Sequence, residues 1–290
     1  MTSEKIIDIL KNGKIHLSCE LFPPKQGAEL QNSLEIVNQI AASKPSYMSV
    51  TYGAGGSTVG YSAALAKKVQ DNGMPALAHL TCVKADEAKL AEVIGQLQGF
   101  GVKNILALRG DIPADMQGEE IGSFAHASEL MRFVKQQGDF CVGGAAYPEG
   151  HPESGSLEKD IENTKYKVDA GVDFLVTQMF FDNTILYNYM FRLLRAGINV
   201  PVVPGIMPVT NVKQIKRITS MSGTYLPERF KAIVDRFGDN PAAMKQAGVI
   251  YATEQIIDLI ANGVNHIHVY SMNKPEIAAG IQSSLSEILK

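Results

Sequence analysis

IHLSCELFPPK, residues 15–25, alternates apolar and polar side chains and then halts on two prolines. In an extended chain successive side chains point to opposite faces, so Ile15, Leu17, Cys19 and Leu21 share one side and His16, Ser18 and Glu20 the other. In a barrel strand the apolar side would pack on surrounding helices while the other looks inward. Glu20, the last inward residue before Phe22-Pro23-Pro24, then stands near the C-terminal rim, where barrel enzymes carry their active sites. The stretch also argues against an open doubly wound sheet. That fold would open on G-x-G-x-x-G, and two prolines cannot wrap a pyrophosphate through backbone N–H groups.

Working outward, seven more β-rich runs follow, at 46–51, 75–81, 103–108, 140–146, 173–179, 200–205 and 265–270. Helical periodicity fills the gaps at 27–42, 58–72, 86–100, 126–137, 156–170 and 183–196, then 210–220, 226–238, 241–263 and 274–289. Strand alternating with helix predicts a closed parallel sheet: an α/β fold, a single (β/α)8 TIM barrel with extra helices before the last strand. No linker or low-complexity tract divides residues 1–290, which read as one domain.

Composition narrows the function. With 290 residues, 45% of them apolar and 20% charged, the chain resembles an ordinary globular enzyme. A net charge of -3 and no basic block give no reason to expect nucleic acid or an anionic membrane as partner. No run approaches the ~20 apolar residues of a membrane span. The amphipathic N-terminus does not read as a signal peptide. Cys19, Cys82 and Cys141 are widely spaced and odd in number, so buried thiols in a reducing cytoplasm are expected.

Four apolar runs stop on reactive side chains, and a parallel barrel gathers such endings at one face. Glu20, flanked by Phe22 and two prolines, would have a raised pKa suited to a general acid, or would simply form an ion pair. LRGD offers Arg109, Gly110 and Asp111, as a phosphate fork and close-approach glycine or as a turn-shaping pair. YPEGHPE supplies Tyr147 to stack on and His151 to titrate, in a loop its prolines stiffen. Asp160, Asn163 and Lys167 share one helical face, fit for a ribose and a pyrophosphate or merely for solvent. His79 ends the third strand, and Gln178 is an amide within apolar LVTQMFF that must find partners. His266 and His268 could chelate a metal, but they open their strand, which favours neutral interior histidines; no metal site is expected.

Taken together, CELFPPK, SVTYGAGG, AHLTC, ALRGD, AAYPEGHPES, DIENTKYKVDAG, TQMFFD, PGIMPVTN and YSMNK resemble, in order, the methylenetetrahydrofolate reductase family of one-carbon metabolism. The resemblance spans residues 15 to about 285. It implies bound FAD, ping-pong reduction of 5,10-methylenetetrahydrofolate to 5-methyltetrahydrofolate by NAD(P)H or a partner redox subunit, and a link to methionine biosynthesis; a homo-oligomer is expected separately, from pairing of exposed barrel helices. It further implies that Glu20 protonates folate N10, that Asp111 favours the 5-iminium cation beside flavin and pterin, and that Gln178 holds the pterin and helps place the nicotinamide, with Thr51 near that donor. Gln214 and Lys274 would hold the folate. For FAD the matched positions are Tyr52, Ala54, His79, Arg109, Gly110, Asp111, Ala127, Tyr147, His151, Ser154, Asp160, Asn163 and Lys167, with Tyr166 at a further FAD position.

Three positions depart from the family pattern: Tyr166 and Lys274 stand where relatives carry Arg, and Ile218 where some carry an aromatic ring. Two rival readings are a metal-dependent barrel hydrolase or lyase using His79, His151 and Glu20, and a flavin- or folate-binding subunit reliant on a redox partner.

Overall fold

The computed structural model describes residues 4–52, 59–112 and 122–290. Its strands are β1 (His16–Leu21), β2 (Met48–Val50), β3 (Ala76–Thr81), β4 (Asn104–Leu108), β5 (Cys141–Ala146), β6 (Phe174–Thr177), β7 (Val202–Val203), β8 (Gly205–Ile206) and β9 (His266–Val269). All pair in parallel, in the order β7-β6-β5-β4-β3-β2-β1-β9-β8. The nine segments occupy eight staves, because β7 and β8 are one strand broken at Pro204. Proline has no N–H to give the ladder. Below the break Leu175 donates to Pro201 O, and beyond it Tyr270 donates to Ile206 O, so one stave joins β6 to β9 and the barrel closes.

The helices are α1 (Ile6–Leu10), α2 (Leu30–Ala41), α3 (Val59–Asp71), α4 (Glu87–Gly99), α5 (Ala127–Gln137), α6 (Leu157–Asp169), α7 (Asn183–Arg195), α8 (Val212–Ser222), α9 (Glu228–Phe237), α10 (Pro241–Ala261) and α11 (Pro275–Ser284). The extra pair α8 and α9, with the long α10, precedes the last strand as expected. Among the described residues no helix is long and apolar enough to cross a membrane.

Side-chain alternation in β1 follows the expected phase. Leu17, Cys19 and Leu21 share an apolar layer with Val37 and Ile40 of α2, between sheet and helices. A separate interior cluster holds Tyr47, Leu77, Leu106, Phe174, Val176 and Val203. Gly143 makes room for it: a Cβ there would lie 2.7 Å from Phe174 Cζ. Ile6 and Leu10 of α1 belong to the same cluster and cork the N-terminal end of the barrel.

Asn104 fastens that cork. Its Oδ1 accepts from Ile6 N at 2.8 Å, and its Nδ2 donates to Glu4 O at 3.2 Å and Ala76 O at 3.3 Å. Asn104 is fully buried, so truncation strands backbone groups away from water. Asn104→Ala is expected to cost about 2–4 kcal/mol in urea unfolding; an unchanged midpoint would show that α1 is held by its apolar side chains alone.

Candidate active site

At the C-terminal half of the barrel Glu20 points inward and is 7% exposed. Burial raises its carboxyl from an ordinary 4.5 to about 8, so it keeps its proton at neutral pH. His79 Nε2 lies 3.7 Å from Glu20 Oε2. This is not an ion pair. Burial lowers the imidazole to about 3, leaving two neutral groups beyond hydrogen-bond distance, with His79 Nε2 unpartnered. An acid in this setting can donate a proton to a ligand without first breaking a salt bridge.

Beneath it the interior is polar, with the Tyr47 hydroxyl and His266 Nδ1 buried without partners. His268 bonds Ser18 Oγ through Nδ1 at 2.8 Å and Ser49 Oγ through Nε2 at 3.1 Å, and burial brings it to about 3. His268 is therefore a neutral structural residue, and His266 stacks on His16 with ring centroids 5.7 Å apart. Tyr270 crosses the mouth, donating to Thr177 O at 2.6 Å. Gly205 permits that crossing, since a Cβ there would meet the Tyr270 hydroxyl at 2.5 Å. Burial first, then the charges of Glu20 and Tyr147, push the Tyr270 hydroxyl well above its ordinary value, so the ring lies within electrostatic reach of both.

Beyond Tyr147 opens a cleft of about 680 Å³, within the roughly 300–1,000 Å³ of small-molecule sites. Its wall is the end of β4, the loop after β5, the start of α5 and one face of α6. Tyr52, Arg109, Gly110, Asp111, Ala127 and Tyr147 line it, as do His151, Ser154, Asn163, Tyr166 and Lys167. Gly110 takes φ +90 and sits so close to the loop after β3 that a Cβ would be 2.7 Å from Val83 Cγ1. The alternative of a turn pair with Asp111 gives way to another partner: the Arg109 fork grips Glu153 at 2.6 and 2.8 Å. Glu153 was not singled out from sequence; its signal was a second carboxylate in YPEGHPE.

The α6 stripe is not a solvated face. Asp160 is 3% exposed, accepts from Ser154 Oγ at 3.0 Å and leaves Oδ2 unpartnered; Asn163 Nδ2 donates to the same Ser154 Oγ at 3.3 Å. Lys167 donates to Ala145 O at 2.7 Å and lies 5.8 Å over the Tyr147 ring, and burial lowers its pKa. Tyr147 and His151 meet edge to face at 4.6 Å. Ser156 starts the helix by accepting from Lys159 N, which fixes the stripe's rotation.

Other expected positions fall elsewhere. Glu20 and His79 lie in the barrel interior and Asp160 behind Ser154; the cleft wall does not include them. Thr51 is half-buried, its carbonyl accepting from Ser62. Ala54 lies outside the described residues. Gln178 is half-buried, and its Oε1 accepts from Met179 N at 3.0 Å. The Thr210 hydroxyl joins Gln214 and Lys274, accepting from Lys274 Nζ at 2.7 Å and donating to Gln214 Oε1 at 3.1 Å. Ile218, on α8, is buried with Phe181, Phe230, Met244 and Tyr251. Asn273, missed from sequence, clamps β1 to β9 by exchanging two hydrogen bonds with the backbone of Phe22 at 2.8 and 2.9 Å. Among the described residues no three His, Cys, Asp or Glu side chains form a metal-ligand set, and Glu20, His79 and His151 do not make one.

A model of the methylenetetrahydrofolate reductase family matches residues 5–286. The chain belongs to the methylenetetrahydrofolate reductase family. Among methylenetetrahydrofolate reductases, the 5,10-methylenetetrahydrofolate reductase of Escherichia coli (strain K12) is 34% identical over 274 residues, which cover 94% of this chain and 91% of that protein. Methylenetetrahydrofolate reductase (NADH) 1 of Zea mays is also 34% identical, over 98% of this chain but 50% of its own length, so the chain spans about half of that relative. Membership makes the chain an enzyme of the oxidoreductase class. An uncharacterized Clostridium thermocellum protein that binds two copies of 5-methyl-5,6,7,8-tetrahydrofolic acid shares the fold, with a TM-score of 0.67 at 13% identity, covering 97% of this chain and 99% of that one.

Proposed function

We propose that this family member reduces 5,10-methylenetetrahydrofolate to 5-methyltetrahydrofolate with FAD as its redox group and NAD(P)H as electron donor, the two substrates using the barrel mouth in turn. The observation that carries the reading is Glu20: a buried carboxyl that stays protonated to about pH 8 beside an unpartnered His79. The cleft suits FAD. It pairs the Tyr147 ring with Ser154, Asn163 and Lys167, presents the bare backbone of Gly110, and leaves the buried Thr81 Oγ1 without a partner. When bound, FAD supplies the hydride-transfer chemistry, and the protein supplies orientation and electrostatics.

The chain's own residues then divide the work. Glu20 gives its proton to folate N10, opening the five-membered ring to the 5-iminium cation. Asp111, exposed at the cleft rim, favours that cation by its charge. Gln178 orients the pterin and the donor, and Thr210, Gln214 and Lys274 receive the far end of the folate. Cys19, Cys82 and Cys141 are buried free thiols, in keeping with a cytoplasmic protein; self-association belongs to the same proposal, to be read by sedimentation.

Anaerobic titration with NADH and then NADPH, followed by 5,10-methylenetetrahydrofolate, tests the whole through the visible flavin spectrum. Bleaching by a nicotinamide and recovery with folate are expected; a colourless protein inert to both would end the proposal. Asp111→Asn is expected to slow the folate half-reaction about tenfold, the loss of about 1.4 kcal/mol of charge stabilisation, with donor oxidation unchanged. Stopped-flow rates equal to the parent's would remove Asp111 from the chemistry. A second reading takes electrons from a partner redox protein, since isoleucine at position 218 supplies no ring to stack on a nicotinamide. Reduction by dithionite but by neither nicotinamide would select it.

A further inference from the structure

The cleft has three cationic side chains in its wall, and they are not equivalent. Arg109 spends its fork on Glu153 and its Nε on Gly110 O at 3.2 Å. Lys167 is turned to Ala145 O. Arg132 of α5 is exposed and has no hydrogen bond, ion pair or ring contact among the described residues. Its natural helical partner is Glu129, three residues earlier, where opposite charges ordinarily meet. That carboxylate is occupied in closing the start of the helix, accepting from Ala125 N at 2.7 Å and His126 N at 3.2 Å. Among the described residues the guanidinium is thus left with no carboxylate to neutralise it.

Position gives this cation a use. The cleft runs from Tyr52 and Tyr147 at the strand ends to Ser128 and Arg132 on α5 and Tyr166 on α6, whose ring is 56% exposed. A dinucleotide is long enough to need both ends, and its phosphates suit a planar fork. We propose that Arg132 grips the adenylate half of FAD, with the Tyr166 ring beside it. This rests on the FAD reading above, and assigns the outer end of the cleft to a residue on a different helix from the Asp160–Lys167 stripe.

Flavin-stripped protein titrated with FAD, read by quenching of flavin fluorescence, separates the outcomes. At low ionic strength Arg132→Ala is expected to raise the FAD dissociation constant about tenfold, Arg132→Lys less, and the parent's loss of affinity with added salt should flatten in Arg132→Ala. FMN, which lacks the adenylate half, should bind parent and variant alike. Equal FAD affinity in parent and Arg132→Ala overturns the assignment, and so does an equal loss for FMN. Failure of the parent itself to bind FAD would strike the underlying functional reading instead. An unchanged thermal midpoint of the stripped variant confirms that it folds.

Discussion

Glu20→Gln is expected to oxidise NAD(P)H at the parent's rate while its folate half-reaction falls by at least ~100-fold, the scale of a lost general acid. The amide keeps the shape of the carboxyl and fills the same buried seat, so flavin content should not change. What it lacks is a proton acidic enough to give away. The parent's pH profile carries the same signature. With the carboxyl raised to about 8 by burial, folate reduction should hold through neutral pH and decline about tenfold per unit above 8, and Glu20→Gln should lose that limb. Stability follows with a definite sign. The unfolded chain releases this proton near 4.5 and the folded one near 8, so the contribution of protonated Glu20 is full below about 4.5 and is lost as pH rises through 8. Two half-reactions that both survive in Glu20→Gln would end its role as acid.

The largest structural effect belongs to Gly248→Ala. Gly248 lies in α10 where the helix presses on the loop after β8; a Cβ there would fall 1.7 Å from Val209 O and 2.7 Å from Val209 C. Backbone cannot rotate away as a side chain can, so either the helix or the loop must move. Overpacking of this kind costs about 3 kcal/mol, and a thermal midpoint lower by roughly 6–12 °C is expected. Displacement of Val209 also reaches Thr210, which joins Lys274 to Gln214. A weaker folate KM with little change in donor KM should accompany the loss. A midpoint within about 1 °C of the parent's would mean that α10 and the loop have slack the packing does not show.

The eight staves and their helices were legible because periodicity carries them. The 15–21 run became β1 at His16–Leu21 in the expected phase, with Glu20 inward, and strand boundaries elsewhere moved by only a few residues. The exception was the seventh stave, where a run read as 200–205 is split at Pro204 by the missing N–H. Partners were far less legible. Arg109 meets Glu153, 44 residues away, and His79 stands beside Glu20 instead of in the cleft wall. Such pairings depend on how loops from separate staves fold over the mouth, which local spacing does not encode. The Asp160–Lys167 stripe shows the same limit: helical spacing identified a shared face, but only the fold shows it turned toward the loop after β5. Ile218 likewise occupies the expected helix but packs inward.

Among the described residues the cork at the barrel's lower end makes the interior a well open at the mouth. Ile6 and Leu10 close the bottom, and between them and Glu20 lies His268, held at both nitrogens by serines. On the proposed role, a proton given up by Glu20 is replaced from above, through the doorway that admits ligands. Recharging the acid must wait until whatever covers it has departed.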